Sequence, residues 1–540
     1  MRRAALLAIL ALRVAAPAWA DDDPHQHPGG RPEELGTVHF PTTCKAATQA
    51  PFERAVAMLH SFWYEEAIGA FEHLAETDPD CAMAHWGLAM SLWHPIWIPP
   101  ATPAALERGR AVVARARAAR TQSPREGAYV TAVAAYFEGP ESLDSRSRAL
   151  AYEKAMEGLH VAYADDREGA AFYALSLLAT APLADKTYAN QLKAASLLEP
   201  IFTEQPNHPG AAHYIIHSFD VPALATRALP AARAYAKIAP SAPHALHMPS
   251  HIFTRLGLWD ESIASNRASE QAAKDYAARA HMEGAWDEQL HAMDYLEYAY
   301  LQGAQDSLAR GVLEELQAIT KVEPANAKTG YAFAAVPARF ALERRQWAEA
   351  ATLVPRPGAT PWAEALTHFA RGTGLARSGD TAGAQREAET LAQLRDALVA
   401  AKDPYWADQV EIERRAVAGW AALSAGRSDE AAGLVRSAAE LEDRSEKMPV
   451  TPGPVVPARE QLGDLLLELK RPAEALREFE AALVGSPNRF GGLAGAFRAA
   501  TLAGDRPRAV ANAQALMALC PRAEGGRPEL AAAKATLAHP

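Results

Sequence analysis

His213 and His247 are 34 residues apart, and so are His217 and His251. Thirty-four residues is the period of a helix-turn-helix solenoid repeat, in which each hairpin buries its apolar face only by stacking on its neighbours. His244, His247 and His251 follow His213 and His217, and His291 completes the group. Spacings of three, four and seven residues put side chains on one face of a helix. The pattern therefore predicts consecutive stacked helices that present imidazoles to one common space.

Punctuation elsewhere fits the same frame. Gly463, Ala475, Phe479, Ala482 and Pro487 fall at positions 8, 20, 24, 27 and 32 of the tetratricopeptide (TPR) pattern. Ala67, Phe71, Leu74 and Pro79 occupy positions 20, 24, 27 and 32 of an early unit, and Gly87 sits at position 8 of the next. Small residues at 8 and 20 let paired helices approach, the aromatic at 24 fills the space between them, and proline ends the second helix. The chain resembles the TPR family over nearly all its length after the first segment. The expected fold is all-α, a right-handed α-solenoid of stacked TPR-like hairpins.

The N-terminus reads as a charged start, a short apolar run broken by Arg13, and Ala18-Trp19-Ala20. This is the pattern of a secretory signal peptide, residues 1–20, and it predicts a periplasmic or secreted protein. No other stretch is long and apolar enough to span a membrane. A net charge of −11 without long basic runs excludes nucleic-acid binding. Of the three cysteines, Cys44 and Cys81 are candidates to pair in an oxidising compartment, leaving Cys520 over. No CxxC motif supports a thiolate metal site.

The domain reading follows from these signals. Residues 21–38 are polar and expected to be disordered. Residues 39–205 carry N-terminal repeats, 206–303 the central histidine-rich repeats, and 304–445 further repeats. Residues 446–457 form a proline-rich loop (KMPVTPGPVVP from Lys447), which separates C-terminal repeats at 458–540.

In the TPR frame His213 and His217 take positions 5 and 9, and His244, His247 and His251 take positions 2, 5 and 9. The resemblance implies that these positions face the concave groove. Imidazole suits zinc, copper, iron or nickel. The HYIIH motif lacks the glutamate of HExxH enzymes, so their chemistry is not implied. Three readings stay open: one ion with three or four ligands and an open position; two ions sharing six histidines, three each, as in coupled copper proteins; or histidines that merely pack the groove. Asp220 and Asp294 are candidates to ligate, to orient an imidazole, or to act as general base. Tyr214 and Tyr295 are candidate donors to the site or core aromatics, Asn266 signals a buried polar contact, and Arg255 reads as a partner for an anionic ligand or as a solvated charge. An aromatic group including Trp63, Tyr64, Trp86, Trp93 and Trp97, with His60, His85 and His94, reads as core or as an apolar pocket lidded by residues 94–100.

Residues 208–220 (HPGAAHYIIHSFD), 242–263 (APHALHMPSHIFTRLGLWDESI) and 291–302 (HAMDYLEYAYLQ) look like those of a group of exported bacterial TPR proteins, as do FPTTC at 40–44 and CAMAHWGLAM at 81–90. That resemblance implies fold and export, and no reaction. Two function classes follow. One is an exported metalloprotein, an oxidoreductase with copper or iron or a hydrolase with zinc. Its partners are a metal ion and a small molecule in the groove. The other is a scaffold holding a peptide or protein in the groove, or a metal storage or delivery protein in which His25 and His27 take part.

Overall fold

The computed structural model describes residues 34–95, 102–139, 142–444 and 446–538. The expected signal peptide, His25, His27 and Trp97 lie outside the described residues. Among the described residues the fold is an all-α solenoid, with one two-residue parallel pair, Ala285–Trp286 against Val322–Glu323, as its named strands. No helix among them is long and apolar enough to cross a membrane.

Short connections fold each helix back on the one before it. Successive hairpins stack along the chain, from Gln49–His60 with Tyr64–Thr77 to Phe490–Leu502 with Arg506–Leu519. The small residues at position 8 do what the pattern requires. A Cβ on Gly87 would lie 2.1 Å from the Phe71 ring, and one on Gly463 would lie 2.7 Å from Phe479. Glycine opposite the aromatic at position 24 therefore lets helices close within a hairpin, as at Gly463 and Phe479, and between successive hairpins, as at Gly87 and Phe71.

The period is less regular than the histidines suggest. First helices begin at Pro209 and Pro243, 34 residues apart, but the flanking ones begin at Arg167 and Asp287, 42 residues before and 44 after. Longer second helices account for part of this, as in Trp259–Arg279 with its 21 residues.

The N-terminal end is stapled. Cys44 and Cys81 form a disulfide, with Cα atoms 5.0 Å apart, and Cys520 is free and buried. Of the segment 21–38, residues 35–38 pack on the solenoid: Leu35 and Val38 are buried, and the Thr37 amide donates to the Asn207 carbonyl. Trp63, Trp86 and Trp93 belong to the core, where Trp86 meets Phe40 and Phe172 edge-on.

The proline-rich segment does more than separate repeats. It links Ser428–Glu442 to Ala458–Glu468 and lies against the central first helices. The Tyr295 hydroxyl donates to the Thr451 carbonyl at 2.9 Å, and that of Tyr331 to the Gly453 carbonyl at 3.2 Å. Prolines leave few backbone donors to satisfy, so such a segment fills a groove at small polar cost.

Candidate metal centre

Three helices supply the six histidines. His213 and His217 lie on Pro209–Phe219, and His291 lies on Asp287–Gln302. His244 and His247 lie on Pro243–His247, and His251 on Pro249–Leu256, which continues the same rod. Pro249 lacks an amide proton and marks the break between those two stretches. The resemblance implies an open groove, but all six rings are buried, between 0 and 9 % exposed. Segment 446–457 covers the second triad, where Thr451 and Lys447 reach Tyr295 and Asp220, and the Phe62 ring covers the first.

The rings fall into two triads. His213, His217 and His244 bring one nitrogen each within 4.8 Å of one another, and so do His247, His251 and His291. Each triad combines an i, i+4 pair with a histidine from a neighbouring helix or turn. The triads adjoin: the rings of His217 and His251 are 6.1 Å apart, and those of His244 and His247 6.2 Å.

Hydrogen bonds orient the rings from behind. His213 Nδ1 donates to the His60 carbonyl at 2.6 Å, and His244 Nδ1 lies 3.2 Å from Glu288 Oε2. His247 Nδ1 faces Asn266 Oδ1 at 2.7 Å, while the Asn266 amide donates to the Ser262 carbonyl, so the oxygen must be the atom facing the ring. His251 Nδ1 donates to Asp220 Oδ2 at 2.9 Å. Outer partners that fix the far nitrogen and leave Nε2 for the ion are the usual support of metal-binding histidines.

The consequence is sharpest at the second triad. With Nδ1–H of both rings committed, neutral His247 and His251 direct bare Nε2 lone pairs at each other across 3.0 Å. Two acceptors at that distance repel. A proton between them would make one ring an imidazolium. Burial pushes His251 down to about 4 even with Asp220 beside it, and burial and the neighbouring His251 hold His247 well below its ordinary range. A divalent cation relieves the repulsion: two imidazoles at tetrahedral angles on one zinc-sized ion stand ~3.3 Å apart. In the first triad the corresponding His213–His217 distance is 3.1 Å.

A third cluster shows the contrast. Glu168 accepts from His60 Nε2 at 2.8 Å and His208 Nε2 at 2.9 Å. His60 Nδ1 meets the Tyr214 hydroxyl at 2.9 Å, and His208 Nδ1 accepts the Ala211 amide at 3.0 Å. Every ring nitrogen here has a protein partner of the right polarity, so this group is a closed hydrogen-bond network.

The charged surroundings are divided. Burial alone would raise Asp220, but Lys447 and Arg255 outweigh it and hold the carboxyl well below its usual range. Lys447 Nζ and Arg255 Nε approach it at 2.7 and 2.9 Å. Arg255 is thus a half-buried partner of Asp220, an anion of the chain itself, rather than a solvated charge. Asp294 takes a different place: it accepts from Arg339 at 2.8 Å, as Glu297 does, and burial raises its pKa. Tyr295 packs edge-on against His247, with ring centres 4.8 Å apart, and Tyr214 serves His60. Glu288, Lys447, Phe62 and the His60 carbonyl were not legible as site groups. Glu288 alone left a trace, three residues before His291 on one helix.

No protein-family model matches the chain, and no curated protein matches it. Among solved structures it is similar to the Naa15/Naa10 complex bound to HypK-THB, at 10% identity and a TM-score of 0.20, covering 87% of this chain and 70% of that one. It is also similar to the P58(IPK) TPR domain, at 14% identity and a TM-score of 0.21, covering 69% of this chain and 98% of that one. At these TM-scores the likeness carries no argument, and the fold rests on the helix stack itself.

Proposed function

We propose that this chain is a metalloprotein that holds two transition-metal ions, one on His213, His217 and His244 and one on His247, His251 and His291. The observation that carries the reading is the pair of Nε2 lone pairs facing each other at 3.0 Å on His247 and His251. All-imidazole triads suit copper or zinc, and they exclude the oxygen-seeking magnesium and calcium. Three protein ligands per ion leave coordination open for an exogenous molecule, which is the arrangement of catalytic rather than structural sites. Such a pair of ions would supply Lewis-acid or redox chemistry to that molecule.

The chain's own residues have separate tasks. Asp220 and Glu288 fix the imidazoles of His251 and His244. Asn266 fixes that of His247. Segment 446–457 keeps bulk water away from the second triad. A Cys44–Cys81 disulfide is consistent with export to an oxidising compartment, and we place the protein there.

Elemental analysis of the purified chain tests the reading. Two equivalents of copper, zinc or iron per chain are expected; a chain that carries none and takes none up on titration overturns it. The alternative, a scaffold that grips a peptide over the histidines, is disfavoured because segment 446–457 already occupies that face.

A further inference from the structure

A cavity of about 1180 Å³ opens beside the histidine helices. It is large enough for a small organic molecule. Its walls offer flat aromatic faces: Trp362 and Trp406 stack 4.6 Å apart, and Tyr64 stacks on His94 at 4.0 Å.

Its charge is unbalanced. Lys328, on the wall, is taken by Asp287 and Glu288 at 2.6 and 2.5 Å. Arg356 lies over the Phe333 ring at 3.6 Å and keeps its charge, so four carboxylates on the wall face two cations. Asp403 caps its own helix through the Trp406 amide. Glu65 has no such use. Its side chain is open to the cavity, and among the described residues no ion pair engages it; Lys328, held by Asp287 and Glu288, attracts it only through space.

Phe62 joins the cavity to the first triad. Its ring lines the cavity and also lies over His213, His217 and His244, with ring centres 4.4, 5.8 and 5.4 Å away. It holds φ at +55°, a left-handed conformation that a bulky residue rarely adopts.

We propose that this cavity binds a small aromatic molecule carrying a protonated amine, with Glu65 as its counter-ion and Phe62 as the wall between it and the first triad. Aromatic faces recognise both the ring and the cation, and an unmatched carboxylate selects ammonium over carboxylate. The binding itself needs no metal; its connection to the histidines rests on the two-ion reading above.

The test uses the full chain in metal-free form, titrated calorimetrically with 2-phenylethylamine, 2-phenylethanol and phenylacetate. The amine should bind at least tenfold more tightly than the other two. Glu65→Gln should remove that preference while leaving 2-phenylethanol binding unchanged. No binding of the amine, equal binding of all three, or an unaltered preference in Glu65→Gln overturns the proposal. A second titration follows the absorption of Co(II)-loaded protein. A spectral change at saturating amine supports the place given to Phe62, and an unchanged spectrum overturns that place. Failure to load Co(II) counts against the two-ion reading, and the metal-free titration still decides the amine site.

Discussion

Lys447 Nζ donates to Asp220 Oδ2 at 2.7 Å, across 227 residues of sequence. The same carboxylate accepts from His251 Nδ1 at 2.9 Å. One acid therefore ties the proline-rich segment to the imidazole it orients. Burial pushes the Lys447 ammonium down to about 8 against the pull of Asp220, so the tie is strongest while both groups are charged.

His217→Ala and His251→Ala should each lower the metal content by one equivalent, because each takes one ligand from a different triad. Helical circular dichroism should stay unchanged. Metal content equal to wild type in both variants would sink the ligand assignment.

Asp220→Asn leaves an acceptor for His251 but weakens it and strands Lys447. The affinity of the second triad should fall about 10–100-fold, in line with other orienting carboxylates, while the first triad keeps its own. Competition against a chelator of known strength measures both. Equal losses at both triads would show that Asp220 acts on the fold rather than on His251.

Removing the disulfide by Cys44→Ser with Cys81→Ser should cost about 4 kcal/mol, from the entropy of a cross-link spanning 37 residues. Thermal melts of the variant should shift down without loss of metal, because the staple lies outside both triads. An unchanged melting temperature would show that the bond adds nothing to stability.

Glu168→Gln tests whether the third cluster is structural. Burial by itself would raise Glu168, but His208 and His60 outweigh it and hold the carboxyl below its ordinary 4.5. The unfolded chain then binds more protons in the acid range, so this stabilisation is complete above pH 4.5 and fades as the pH falls toward the folded value. At pH 7 the variant should lose roughly 2 kcal/mol, as for hydrogen bonds that lose their charged acceptor. The difference from wild type should shrink below pH 4.5, and metal content should stay at two equivalents. Denaturant melts at several pH values check the first two points. Metal loss at neutral pH would contradict the separation drawn between this network and the triads.

Much of the molecule was written in local periodicity. Glycine at position 8 and phenylalanine at position 24 specify the hairpin, because a Cβ on Gly463 would lie 2.7 Å from the Phe479 ring of the same unit. Spacings of four residues made His213 with His217, and His247 with His251, visible as pairs. Asn266 was legible because a polar residue at a packing position needs a buried partner, and it has one in His247.

What sequence spacing alone determined, then, is each helix, the face its histidines occupy and the repeat that stacks those faces together. It left one ion or two open. Only the tertiary structure sorts six rings into two triads, because the assignment of His244 and His291 depends on how neighbouring helices lean across the stack. The same holds for burial. Lys447, Thr451 and Gly453 reach the centre through a loop whose sequence carries no period, and periodicity reports only on residues within one helix or its repeat. Contacts between distant segments are set by the curvature of the whole solenoid, which is the sum of many small packing angles that no local pattern encodes.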